Sequence, residues 1–152
     1  LRDEVAQLQR TLEEKERLID QISQAANVGH WEVDLESSTV FWSKKTHELH
    51  GTDPGTYTPN VKEGINFYTP DHQPVITKYF SQLCTSGVPF DVELQVVRRD
   101  TGVAHWVRVT GLPVTRKGKV VKVYGIFQDI HQEKLIALER NELDEKLRLI
   151  LE

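Results

Sequence analysis

Six histidines, one cysteine and a scatter of serines and acids are the side chains in this 152-residue chain that could do chemistry. Their spacing produces none of the groupings that catalysis or metal binding requires. There is no Gly-rich phosphate loop, no H-E-x-x-H and no cysteine pair. Cys84 stands alone, which excludes an internal disulfide and a Cys-based metal cluster and suits a reducing compartment. It lies late in a helical stretch with no basic neighbour to activate the thiol, so it reads as a packing residue. No catalytic residue and no metal site is assigned, and this chain is not expected to be an enzyme.

What the charged residues do offer is a hinge. In Gly125–Lys134 an alternating, strand-like pattern passes straight into a helical one, with Asp129 at the change. An Asp there accepts backbone N–H bonds and favours the helix dipole. The same cap would couple a shift of the sheet to the helix beyond it. Gln128, Asp129, Ile130 and Lys134 are therefore the candidate signal-transmission residues.

Three sections position that hinge: a helix over 1–26, a globular unit over 27–130 and a second helix over 131–152. The formal charge of -4 belongs to the two ends. Residues 1–27 carry 4 positive and 6 negative side chains, 131–152 carry 4 and 6, and the remainder has 11 of each. Nothing resembles a basic nucleic-acid footprint. No apolar run approaches the roughly 20 residues that span a bilayer, so no membrane insertion by this stretch is expected. Leu1 opens a chain without any Met, which is expected of a piece cut from a longer protein.

In the first helix Leu1, Val5, Leu8, Leu12, Ile19, Ile22 and Ala26 follow heptad spacing, with Lys15 in the gap. So narrow a stripe cannot make a core alone and is expected to pair, as a parallel coiled-coil dimer. Asn27 and Gly29 supply C-cap chemistry. A hairpin follows, from Trp31, Val33 and Leu35 and from Thr39 to Trp42, and then a short helix, Lys44 to His50, capped by Ser43. Val75, Ile76, Tyr79, Phe80 and Leu83 share a helical face. Three further strands alternate through Phe90–Val96, Trp106–Val114 and Val120–Gln128, with Val121, Val123, Gly125 and Phe127 on one face of the last. Tyr124 and Ile126 on its other face want a cover, and the first helix, of this or a second subunit, is the expected one. From His131 on, Ile136, Leu143, Leu147 and Ile150 return to seam spacing.

Several stretches resemble one family. Gly29-His30-Trp31-Glu32-Val33-Asp34-Leu35 looks like a G-x-W-x-x-D-L opening, and Glu48-Leu49-His50-Gly51 like E-L-x-G. Arg99-Asp100-Thr101-Gly102 with Trp106-Val107, and Gly125 to Lys134, resemble R-x-D-G…W-V and G-x-x-x-D-I-T-x-x-K, with His131 in place of Thr. Together they resemble the PAS domains of bacterial-type signalling proteins. The resemblance implies an α+β fold: a five-stranded antiparallel sheet with short helices on one face, flanked by coiled-coil-type helices. It also implies a cytoplasmic sensory or relay domain, dimeric through its helical ends. The output domain in the same chain would be a histidine kinase or diguanylate cyclase, and the last residues look like the helix that introduces a further PAS domain.

On that plan, Val92, Leu94, Val96, Val107, Val109, Gly111, Val123, Gly125 and Phe127 face Ile65, Phe67, Ile76, Tyr79 and Phe80. They would enclose either a small, mostly apolar ligand, with Gly111 and Gly125 leaving room, or a filled core that only dimerises. The cofactor is unknown, and none is required. Haem would need an axial histidine, and His72, the nearest, is expected to face solvent at its helix start. Flavin photochemistry would need the motif N-C-R-F-L-Q, which is absent, and Phe127 stands where the flavin-contacting Gln would fall.

Overall fold

The computed structural model describes residues 1–152. The elements in order are α1 (Arg2–Ala26), β1 (Val28–Asp34), β2 (Thr39–Trp42), α2 (Lys44–His50), α3 (Val61–Asn66), α4 (Gln73–Ser86), β3 (Phe90–Val97), β4 (Ala104–Arg116), β5 (Lys119–Asp129) and α5 (His131–Leu151). The strands form one sheet in the order β2-β1-β5-β4-β3, antiparallel throughout. The sheet is thus an α+β arrangement with its first and last strands side by side at the centre. One face carries α2, α3 and α4. Between them lies a core of 16 buried apolar residues, among them Trp31, Val33, Trp42, Phe67, Leu83, Phe90, Val109 and Phe127.

Local chemistry explains the boundaries. Asn27 ends α1 in the left-handed region at φ 56, a conformation its short polar side chain tolerates. The next residue is already in β1, so the strand begins before the alternation at Trp31 announces it. Ser43 caps α2 by accepting the Thr46 N–H, and Asn60 caps α3 by accepting the Glu63 N–H at 2.9 Å. Lys117 and Gly118, at φ 53 and φ 76, close the β4–β5 hairpin as the two-residue turn whose twist matches the strands. The register of that pair slips between Val114 and Thr115, leaving Val121 as a bulge. Val120 is consequently the buried residue there, not Val121, and the expected face of β5 holds only from Val123 onward.

The helices at the two ends are unlike the others. Neither α1 nor α5 has a single buried residue, although the apolar seams of both are intact. The idea that α1 of the same chain covers β5 is corrected here. From Asn27, α1 departs past α2, where Gln24 donates to Glu48 at 3.3 Å, and Tyr124 stays 39% exposed. The heptad stripe faces outward, with Val5, Leu8, Leu12, Ile19 and Ile22 all exposed.

Candidate functional site

A cavity of about 80 Å³ lies between the sheet and the short helices. Trp31, Val33, Val40 and Trp42 of the first hairpin wall one side, and Thr46 and His50 of α2 close one end. Gly64 and Ile65 of α3, Tyr68, and Ile76 and Phe80 of α4 form the roof. Phe90, Val109 and Phe127 supply the sheet floor, and the exposed Asn60 and Val61 stand at the rim.

Five of the residues expected to line a ligand space do so: Ile65, Ile76, Phe80, Val109 and Phe127. Leu94, Val96, Val107 and Val123 are buried core away from it, as is Phe67, while Tyr79 and Val92 pack at the margin of the core. The two glycines leave no room for a ligand. A Cβ on Gly111 would lie 2.4 Å from the Phe90 ring and 2.8 Å from Leu83, so that space is already filled. Gly125 lies against backbone: a Cβ there would sit 1.8 Å from the Thr110 carbonyl oxygen.

Thr110 is held in place through both its carbonyl and its hydroxyl. The Trp31 indole N–H reaches over Gly125, its partner in the sheet, and donates to Thr110 O at 3.1 Å. The Ile126 N–H, which a ladder carbonyl would ordinarily receive, donates instead to Thr110 Oγ1 at 3.0 Å. A side chain of the cavity wall is therefore tied directly to the β4–β5 ladder.

The residues missed by pattern reading are mostly those of α2 and its neighbours. His50 is 3% exposed, with its ring stacked on Trp42 at 4.0 Å and on Phe127 at 4.4 Å. Its Nδ1 lies 2.7 Å from the Thr46 carbonyl, and burial pushes its pKa down to about 4. Tyr68, 7% exposed, has a phenol whose pKa burial raises. The available signal was the helical spacing of Thr46, Leu49 and His50 just ahead of Gly51, which puts them on one face of α2.

His72 also differs from expectation. It does not face solvent; its Nδ1 accepts the Gln95 N–H at 2.9 Å, and its ring lies 5.8 Å from Trp106. The unpaired edge of β3 is the reason, since it offers an N–H that the side chain completes.

The hinge residues come together at one corner. The Asp129 N–H donates to Asn27 O at 3.0 Å, joining the end of α1 to the end of β5. Asp129 Oδ1 accepts the His131 N–H at 2.9 Å, and the Ile130 N–H donates to Trp106 O at 3.1 Å. Trp106 N–H in turn donates to His131 Nδ1 at 3.1 Å. Lys134 bonds Glu93 at 2.8 Å while its ammonium sits 4.8 Å from the Trp106 ring centre. Gln128 is flanked by Val28 on β1 and Arg108 on β4. The first turn of α5 is thus fastened to β3, β4 and β5. The expected Asp cap is corrected: Ile130 is the N-cap of α5 and brings no side-chain bond, so the Asp129 carboxylate, one residue earlier, holds the first N–H of the helix instead. Asp129→Ala is expected to cost about 1 kcal/mol and to speed amide exchange in residues 131–134 while the sheet stays protected. Unchanged exchange in that turn would rule out a role for this carboxylate.

A family model described as the PAS fold matches residues 39–127. No curated protein matches the chain. Among solved structures, a sensory box histidine kinase/response regulator from Burkholderia thailandensis superposes with a TM-score of 0.70 at 18% identity, covering 86% of this chain and 97% of that one. The N-terminal domain of a diguanylate cyclase with PAS/PAC sensor from Marinobacter aquaeolei gives 0.63 at 19% identity, covering 70% and 98%. An RNA-binding light-oxygen-voltage receptor gives 0.62 at 17% identity, covering 70% of this chain and 30% of that one.

Proposed function

Because the chain belongs to the PAS-fold family, we propose that it is the sensory and regulatory domain of a multidomain signalling protein, with an output domain of the histidine-kinase or diguanylate-cyclase kind. It would dimerise through its helical ends, bind a small and mostly apolar molecule in the cavity, and relay that event through α5. It would carry out no reaction of its own. The observation that carries this reading is the convergence at Asn27 and Asp129. Two helices with exposed apolar seams leave the sheet from adjacent strand ends, joined by one hydrogen bond. A helix of this kind gains most of its stability from packing, so both seams call for a partner.

The cavity supports the ligand part. Pockets for drug-sized ligands run to roughly 300 Å³ or more, so about 80 Å³ suits a far smaller molecule than a haem or a flavin. Burial also raises the pKa of Cys84, which is opposite to what a reactive thiol needs. No helix is long and apolar enough to cross a membrane. The cytoplasm is the location we propose, on the likeness to PAS sensor domains alone.

Sedimentation equilibrium tests the dimer. Replacing Leu8 and Leu12 by Asp puts charges into the seam and is expected to weaken self-association at least about 100-fold. An unchanged dimer, or a parent chain that is monomeric throughout, would sink the coiled-coil part of the reading.

A further inference from the structure

The cavity wall is not uniformly inert, and its polar groups restrict what can enter. This step rests on the reading of the cavity as a ligand site. Among the wall side chains, the Trp31 N–H is already given to Thr110 O, and Thr46 Oγ1 donates to His30 O at 2.9 Å and lies 3.0 Å from Ser43 Oγ. Two polar atoms of deeply buried residues are left over: Nε2 of His50 and the hydroxyl of Tyr68.

His50 has a defined tautomer. The Thr46 carbonyl can only accept, so Nδ1 carries the proton, and Nε2 on the far edge of the ring holds a bare lone pair. Nε2 forms no hydrogen bond with the protein. The one fully enclosed side-chain polar atom without a partner is Thr69 Oγ1. The Nε2 of a residue only 3% exposed must therefore touch open space, and the cavity is the space it lines. The Tyr68 hydroxyl likewise has no partner in the protein without being fully enclosed, and Tyr68 lines the same cavity.

No wall residue carries a charge at neutral pH, because burial keeps His50 neutral. A carboxylate, phosphate or ammonium entering this space would find no counter-charge. The size is also bounded: a dry cavity of about 150 Å³ takes benzene, so about 80 Å³ takes roughly three heavy atoms.

We infer that the cavity selects a neutral molecule of about three heavy atoms bearing one hydroxyl, whose O–H donates to His50 Nε2 and whose oxygen accepts from the Tyr68 phenol. Short-chain alcohols are the class that fits. The hydrocarbon part lies against Phe80, Ile76 and Val109, and Trp31 passes the change in packing to Thr110 and the β4–β5 ladder.

The test is an NMR titration of the full chain with ethanol and with dimethyl ether, which has the same heavy-atom count and no O–H. Ethanol is expected to bind with a Kd on the order of 10 mM and to move the ¹⁵Nε2 resonance of His50. The ether should bind about tenfold more weakly, because it leaves Nε2 unpaired. Equal binding of the two overturns the hydroxyl selection while leaving an apolar ligand site in place. Binding of neither overturns the ligand-site reading itself. Tighter binding of ethylammonium or acetate overturns the neutral class. In His50→Phe the preference for alcohol should disappear, and its persistence would remove His50 from the account. Should that variant fail to fold, Tyr68→Phe deletes only a hydroxyl. Both oxygens accept from the phenol, so alcohol and ether should then weaken together by about fivefold with the preference for the alcohol kept, and unchanged binding of both overturns the proposal.

Discussion

Replacing Gly125 by alanine is expected to cost the domain about 3–5 kcal/mol, a loss near the top of what one substitution does. The added methyl would fall 1.8 Å from the Thr110 carbonyl oxygen and 2.6 Å from its carbon. Relief by rotating a flexible side chain is not available, because the obstacle is backbone. Nor can Thr110 simply withdraw, since its carbonyl is held by Trp31 and its hydroxyl by the Ile126 N–H. The strand pair must separate or the indole bond must break, and either route opens the core at Trp31 and Phe127. Gly64 is the control. A Cβ there meets nothing nearer than Trp42 at 3.9 Å, and a helical alanine is favoured over glycine by up to about 1 kcal/mol. Urea unfolding midpoints separate the two cases. A loss under about 1 kcal/mol at Gly125 would mean that the ladder yields there far more easily than its bonding implies.

Acidification should unfold this domain through one histidine before its carboxylates are protonated. Burial first, and the neighbouring His47 second, push His50 down to about 4, against a contribution from the Thr46 hydrogen bond that raises it. In the unfolded chain the same side chain titrates near 6.5. Between those values the unfolded state takes up a proton that the folded state refuses, so stability falls as pH falls. Full stability is present above about pH 6.5, and about 3 kcal/mol has gone by pH 4, at about 1.4 kcal/mol per unit where the proton difference is complete. His47 and His105 are depressed by burial too and act in the same direction. The carboxyls of Asp91 and Asp100, lowered by their hydrogen bonds to Arg108 and Arg98, lose their contributions only at lower pH. Urea unfolding of the parent and of His50→Phe at several pH values between 7.5 and 4.5 isolates the effect. The variant should show a shallower slope by as much as one proton, and identical slopes would assign the acid sensitivity elsewhere.

Period and order carried the architecture. The alternation through Phe90–Val96 and Val123–Phe127, the 3.6-residue face from Val75 to Leu83 and the heptad at Val5, Leu8 and Leu12 are all one-dimensional signals. They suffice for an α+β sheet with helices on one face and two protruding helices. The cavity is different because its boundary depends on which neighbour fills which gap. Gly111 looks like room until the Phe90 ring is placed over it, and Gly125 looks like room until Thr110 turns its carbonyl toward it. Likewise, alternation puts Val121 with Val123, and only the slip of register at Thr115 reveals Val120 as the buried residue. His50 escaped notice for a related reason. A histidine before a helix-ending glycine is ordinarily solvent-facing, and it is the aromatic sandwich of Trp42 and Phe127, remote in sequence, that buries it.

The fastening of α5 at its first turn has a mechanical consequence. A 21-residue helix is about 31 Å long, and none of its residues is buried along that length. It is therefore a lever arm with its fulcrum at Ile130, His131 and Lys134. A tilt of about 10° at the fulcrum would carry the far tip through about 5 Å, close to the rise of one helical turn. Movements too small to disturb the hydrogen bonds of Trp106 would thus arrive at the far end as a sideways sweep of about half a helix diameter.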